Sequence, residues 1–292
     1  MNKVITLSTE ASKRLIAKAI VQMPEVQRAF NRGYIALAQG STCGFIIEEL
    51  CGYEIVRSRY CRSYISSKGP CLLSAEGQIG FTLFINGEML TAKAKCDSLD
   101  DNENLKAYLK EMEPSDVFIK SGNVMDSAGG IACLVESQDN GQVRGRDYYP
   151  PEGVCTIIPM TVSKTIPINV QRLIEILKEE KITKARCKAE PSDMISLTGR
   201  IITEIEAAQS LLGVNILPIA RDGLGANRSS TTFLLSGDAA VVNNAYNYLY
   251  NLQGEPKLTE VENLDCQHCP AYTLHRKEEG RSRKERFFVS NQ

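Results

Sequence analysis

The residues whose types and spacing carry the most chemistry are Gly40, Ser41 and Thr42. They end the apolar run Gly33-Tyr-Ile-Ala-Leu-Ala-Gln39 and lead into the helical pattern Phe45-Ile-Ile-Glu-Glu-Leu50. This order predicts a buried strand turning into a helix N-terminus, where free backbone N–H groups and two hydroxyls face an anion. Gly-Ser-Thr also caps helices that bind nothing, so the reading draws its weight from what accompanies it. A second concentration of chemistry lies at Cys266-Gln-His268-Cys269 and His275, which hold both histidines and the one closely spaced cysteine pair. The thiolates of Cys266 and Cys269 with the imidazole of His275 match the ligand chemistry of zinc or an iron–sulfur cluster. His268 or another chain's residue would be the fourth ligand. The same spacing also reads as a plain reduced pair or a redox-sensitive dithiol.

These residues need a scaffold, and 292 residues suggest two domains. The hydrophobic fraction of 43% and charged fraction of 24% are those of a globular protein, and a net charge of −1 gives no global field toward nucleic acid or a membrane surface. The N-terminal segment lacks the continuous apolar stretch of a signal peptide, and no later segment reaches membrane-spanning length. Ten cysteines, scattered singly apart from the one pair, predict reduced thiols and a cytoplasmic protein.

Helical spacing of Leu15, Ile16, Ala19, Ile20 and Met23 predicts helix within 8–31, with Pro24 opening a second helix that Gly33 ends. Asn86-Gly87 between apolar runs predicts a hairpin. A surface helix follows over 101–112, then buried strands at 117–120, 131–135 and 154–158, a long polar loop at 137–153, and an amphipathic helix over 170–180. Strands alternating with helices predict a mainly parallel sheet. The fold class is therefore α/β, with a Rossmann-like three-layer domain over 1–190. From Met194 the pattern becomes strand 194–197, helix 201–212, strands 214–220 and 230–235, helix 238–252 capped by Asp238, and a last strand at 258–261. That βαββαβ order predicts a ferredoxin-like α+β domain over 191–264, with a charged tail at 265–292.

The first domain resembles the superfamily of ribose-5-phosphate isomerase, glucosamine-phosphate deaminase, CoA transferases and lactate-utilisation proteins. Three matches carry the resemblance in order: Gly40-Ser-Thr42, then Gly122-Asn123-x-x-Asp126-x-x-Gly129, then Ser163-Lys164 after Thr156-Ile-Ile-Pro-Met160. The resemblance implies that the first loop cradles a phosphate or nearby anionic group, that Gly122, Asn123, Gly129 and Gly130 lie beside the ligand, and that Lys164 reaches the same crevice as a cation. Ligands of open α/β sheets do sit beyond the carboxyl ends of the strands. The departures bear on the chemistry. Isomerases of this kind carry several acids in the second loop, one of them a base for proton abstraction, and here Asp126 alone remains. A CoA transferase needs a nucleophilic glutamate, for which Glu136 is the candidate. Each also has a plainer reading: Asp126 as an ordinary turn aspartate, Glu136 as a solvated strand-end glutamate, Lys164 as one of 34 basic residues.

The second domain is similar to the lid of ribose-5-phosphate isomerases. Its runs Ile201-Ile-Thr-Glu-Ile-Glu and Leu235-Ser-Gly-Asp-Ala-Ala-Val-Val-Asn-Asn-Ala245 also resemble a bacterial microcompartment shell domain, which implies a homo-oligomer. The expectation is a cytoplasmic protein that binds a phosphorylated or other anionic metabolite, such as a sugar phosphate or CoA ester. Proton or acyl transfer would fall to Asp126 or Glu136, with Lys164 as electrostatic partner. The alternative is a non-catalytic assembly or ligand-sensing protein that oligomerises through its C-terminal domain. Zinc at the Cys/His cluster is the cofactor first suggested by the residues, with an iron–sulfur cluster as the alternative. The mixed-charge segment 276–286 lacks interleaved aromatics, so nucleic acid is not an expected partner.

Overall fold

The computed structural model describes residues 1–61, 64–66, 69–71, 79–93, 103–135, 150–180, 193–222 and 229–258. The chain begins with strand β1 (Asn2–Leu7), and the Ser8 hydroxyl then accepts the Ala11 N–H at 3.1 Å to start helix α1 (Thr9–Val21). Almost the whole length of α1 is buried on more than one side, the mark of a helix held between layers. Pro24 opens α2 (Pro24–Arg32) as expected. A Cβ on Gly33 would stand 2.6 Å from Asp116 Oδ1, and the Asp116 carboxylate accepts the N–H groups of Tyr34 and Glu113, each at 2.8 Å. This fixes the entry to β2 (Tyr34–Ala38), which α3 (Ser41–Cys51) follows after Gly40, closed by Gly52 in the left-handed region at φ 74°.

A short ribbon, β3 (Tyr64–Ser66) with β4 (Gly69–Cys71), precedes the hairpin of β5 (Ile79–Ile85) and β6 (Glu88–Lys93). Asn86 and Gly87 both have positive φ, 49° and 83°, as a two-residue type I′ turn requires. Then come α4 (Glu103–Glu111), β7 (Val117–Ile119), β8 (Val124–Met125), β9 (Ile131–Val135), β10 (Cys155–Pro159), a 3-10 turn at Val162–Lys164, and α5 (Val170–Glu180). The last elements are β11 (Asp193–Leu197), β12 (Arg200–Ile202), α6 (Glu204–Leu212), β13 (Asn215–Asp222), β14 (Ser230–Ser236) and α7 (Ala239–Asn251).

The fold is mixed α/β around a six-stranded sheet of order β12-β10-β7-β2-β5-β6, parallel from β12 to β2 and antiparallel beyond. Alternation along β2 sends Ile35 and Leu37 to one core and Ala36 and Ala38 to another, one on each face of the sheet.

The end of the chain pairs differently from the expected βαββαβ order. Residues 193–197 run antiparallel to β9 in a separate sheet, β11-β9-β8. Ile201 and Ile202 are not the start of a helix: they belong to β12, parallel to β10. Helix α6 starts only at Glu204, where the Thr203 hydroxyl accepts the Ile205 N–H and the Glu206 carboxylate accepts the Thr203 N–H. That capping box, Thr203-x-x-Glu206, sets the boundary that apolar periodicity placed too early. The third strand of the C-terminal sheet comes instead from the start of the chain, as β1 pairs antiparallel with β14 in the order β1-β14-β13. The strand expected at 258–261 lies, past Leu258, outside the described residues.

One hydrophobic cluster therefore runs from Ile35 and Leu37 of β2 through Leu15, Ile16 and Ile20 of α1 to Phe233 and Leu235 of β14. An ion network lines its edge. Arg14 bonds Glu48, Glu49 (2.8 Å) and Glu255 (2.7 Å), Arg57 lies 3.4 Å from Glu255, and both guanidinium groups lie over the Phe45 ring, at 4.8 and 4.2 Å from its centroid. Arg14→Met removes the cation shared by three carboxylates, which keep Lys18 (at Glu49) and Arg57 (at Glu48 and Glu255) as partners. It is expected to lower unfolding free energy by about 1.5–3 kcal/mol in a urea titration, and a loss below about 0.5 kcal/mol would show that the network is solvated.

Candidate functional site

Strands β2, β7, β10 and β12 are parallel, so their carboxyl ends open on one edge of the sheet. The chain beyond them comprises Gly40–Thr42, Lys120–Asn123, Met160–Lys164 and Thr203–Glu204. The first two loops touch: a Cβ on Gly40 would stand 2.8 Å from Ser121 Oγ and 3.9 Å from Cys43 Sγ, so a side chain at this position would displace the Ser121 hydroxyl. The third reaches the second through Lys164, whose Nζ donates to the Gly122 carbonyl at 2.7 Å. Gly122 is itself packed against Met160 and Ile131, where an added Cβ would come within 2.4 Å of Ile131 Cγ2. Gly40, Gly122 and Lys164 thus meet at the head of α3. Beside Gly40, Ser41 is partly exposed, whereas Thr42 is 1% exposed and its Oγ1 has no hydrogen-bond partner among the described residues.

Several groups that sequence reasoning missed complete the place. Lys13 enters from α1, 7% exposed, in line with the buried Ile16, Ala17 and Ile20. That i, i+3, i+4, i+7 spacing was the signal that could have found it. Cys43 comes from the first turn of α3. Cys61 arrives because the Gly40 N–H donates to the Tyr60 carbonyl at 2.8 Å. Glu204, fully buried at the first turn of α6, accepts the Val162 N–H at 2.9 Å through Oε2, while Oε1 has no hydrogen-bond partner among the described residues.

Burial dominates the electrostatics here. It pushes the Lys164 amine down to about 8, helped by the neighbouring charge of Lys13, with Cys43, Glu204 and Cys61 acting in the opposite sense. Burial also lowers Lys13 and raises Glu204. It pushes the thiols of Cys43 and Cys61 up to about 11, against the nearby cations Lys120 and Lys164 at Cys43 and Lys13 and Arg57 at Cys61. Both thiols are therefore protonated and poor nucleophiles at neutral pH. The place has a buried amine at Lys13, a part-buried one at Lys164, a buried carboxyl and an unsatisfied hydroxyl at a helix N-terminus. It can neutralise an anion and move a proton.

The rest of the second loop has other work. Asp126 accepts the N–H groups of Val170 and Gly130 at 2.8 Å and of Ala128 at 2.9 Å, and these bonds hold its carboxyl below the usual range. A Cβ on Gly130 would stand 2.6 Å from Asp126 Oδ2, and Gly129 has φ 85°. Asn123 Oδ1 accepts the Leu134 N–H at 2.9 Å. Asp126, Asn123, Gly129 and Gly130 are thereby engaged in closing the β8–β9 turn and starting α5. A carboxylate committed to three backbone donors is a weak base. Glu136, Cys266, Cys269 and His275 lie outside the described residues.

Comparison of the chain with protein-family models, with curated proteins and with solved structures finds no match. Among the described residues no group of three metal-ligating side chains comes together, and no helix is long and apolar enough to cross a membrane.

Asp126→Ala strands three backbone donors. It is expected to lower stability by at least about 1–3 kcal/mol in denaturant unfolding while leaving anion affinity within about twofold. A loss of affinity without a loss of stability would return Asp126 to the ligand.

Proposed function

We propose that the protein binds a small anionic metabolite, bearing a phosphate or carboxylate, at the head of α3 between Lys13 and Lys164. One observation carries the reading: a fully buried, unpartnered Thr42 hydroxyl at a helix N-terminus beside two desolvated lysines. An unsatisfied buried hydroxyl and a buried cation each cost free energy that a bound anion would recover. Lys13 has no carboxylate at ion-pair distance among the described residues, and a bound anion would supply the missing counter-charge. The placement agrees with the isomerase and CoA-transferase resemblance at Gly40–Thr42 and Lys164. For proton transfer, Glu204 is better placed than Asp126.

Sulfate is a suitable probe because its own charge is constant near neutral pH. It is expected to raise the melting temperature of the wild-type chain. Lys13→Met and Lys164→Met should each weaken sulfate binding by about 10- to 150-fold, the loss of a hydrogen bond to a charged group. The folded amine of Lys164 titrates near 8, below its ordinary value, so it is charged below that pH and neutral above it. Sulfate affinity should accordingly fall as pH rises through about 8. A depressed lysine favours the neutral form in the fold, so protonation at neutral pH works against stability. Lys13→Met should therefore melt higher than wild type in the absence of anion. No shift with sulfate at any pH would remove the reading.

An assembly role has its own support in the C-terminal sheet. Val4, Leu234 and Leu217 are neighbours in register across β1, β14 and β13, and Val4, Leu217 and Ile219 are at least half exposed. Sedimentation of the full chain and of Leu217→Lys tests it. An oligomer dissociated by the substitution supports assembly through this face, and a monomeric wild type excludes it.

A further inference from the structure

The anion reading leaves one feature unused: Lys164, bonded to the Gly122 carbonyl beside the helix head, is held in surroundings that favour its uncharged form. A lysine serving only as a counter-charge does best with its proton secured by a carboxylate or by water. Among the described residues Lys164 has no carboxylate at ion-pair distance. Its Nζ is fixed by one hydrogen bond to the Gly122 carbonyl, which is compatible with an amine donating one N–H and keeping its lone pair free. The charge that bears most on it is that of another buried cation, Lys13. Desolvation next to a second cationic group is the way proteins keep a lysine amine nucleophilic at moderate pH. Glu204 acts on Lys164 from the neighbouring loop, with one carboxyl oxygen anchored by Val162 N–H and the other without a partner among the described residues.

We propose that Lys164 is the amine of a covalent carbonyl site, condensing with a small aldehyde or ketone whose carboxylate or phosphate occupies the head of α3, with Glu204 as the proton carrier. This rests on the anion reading and adds a reaction class to it. The Nζ lone pair forms the N–C bond while the carbonyl π pair moves to oxygen, which takes the Glu204 proton. The Glu204 carboxylate then removes a proton from nitrogen. Returning that proton to the carbinolamine hydroxyl expels water as the nitrogen lone pair closes the C=N bond. The sum is amine plus carbonyl giving a protonated imine and water, with Glu204 left as carboxylate and no change of oxidation state. The buried thiols, protonated near neutral pH, do not compete for the carbonyl.

The test uses the full chain with glyoxylate and, separately, glycolaldehyde phosphate, followed by borohydride to reduce any imine, then intact mass and peptide mapping. The expected result is one adduct per chain on Lys164, formed with at least one of the two aldehydes and suppressed by excess sulfate. Lys164→Arg, verified as folded by circular dichroism, should lose it, and Glu204→Gln should slow trapping about 10- to 100-fold. The groups acting on this pair are Lys13, Cys43 and Cys61 at Lys164 and Glu206 with the Ser12 hydroxyl at Glu204, while Glu10 and Arg57 act on Lys13 behind them. Removing the largest of these charges with Lys13→Met should move the pH midpoint of trapping upward. Adducts spread over exposed lysines with Lys164 unmodified overturn the proposal. If sulfate still stabilises the fold in that case, the anion reading stands and the covalent one alone fails. If sulfate does neither, both fail.

Discussion

Helix α1 sets the constraint on which the rest of the molecule depends. It packs against α3 and α6, and its apolar residues belong to the one cluster that reaches both the six-stranded sheet and the C-terminal sheet. Such a position suits an apolar helix, yet three successive residues, Ser12, Lys13 and Arg14, are polar and all are removed from bulk water. Each needs compensation inside the protein. Arg14 finds three carboxylates, from α3 and from Glu255 near the far end of the described chain. Ser12 lies close to Glu204. Lys13 points its charge at the edge of the sheet where the loops converge, and there the described chain offers it no counter-ion at contact distance.

The parallel strands turn this local imbalance into a site. Because β2, β7, β10 and β12 run the same way, the loops beyond them share one edge, and glycines at 40 and 122 let those loops approach to contact. The C-terminal sheet adds a clamp. Arg221 of β13 donates to the carbonyls of Val162 at 3.2 Å and Thr165 at 3.0 Å, which holds the turn carrying Lys164. Polar residues elsewhere in the second loop secure the scaffold. Asp126 organises its own turn and receives the Val170 N–H at the start of α5, so its carboxylate is engaged in holding the floor in place.

The sequence made the local elements readable wherever a local signal was strong. Pro24, Asn86-Gly87, Asp238 and the periodicity of 170–180 each mark an element that the structure contains. These signals act over a few residues: a fixed φ, a tolerated positive φ, a side chain reaching two or three residues onward. The Gly40-Ser-Thr42 turn into α3 was legible for the same reason. Sequence reading failed where the choice of partner was non-local. Nothing within Asn2–Leu7 says that it will pair with Ser230–Ser236, more than two hundred residues away, or that 193–197 will join β9 and leave its sequence neighbours β13 and β14.

What the sequence by itself determined is therefore a set of helices, strands and caps, and one helix N-terminus able to meet an anion. What only the tertiary structure decided is which charges stand beside that N-terminus. Lys13, Lys164 and Glu204 are spread over nearly two hundred residues, and their titration is governed by desolvation and mutual field, quantities that have no value until the chain is packed. The same packing assigned Asp126 to its turn, because the three backbone donors that occupy its carboxylate come together only once β8, β9 and the start of α5 are in place.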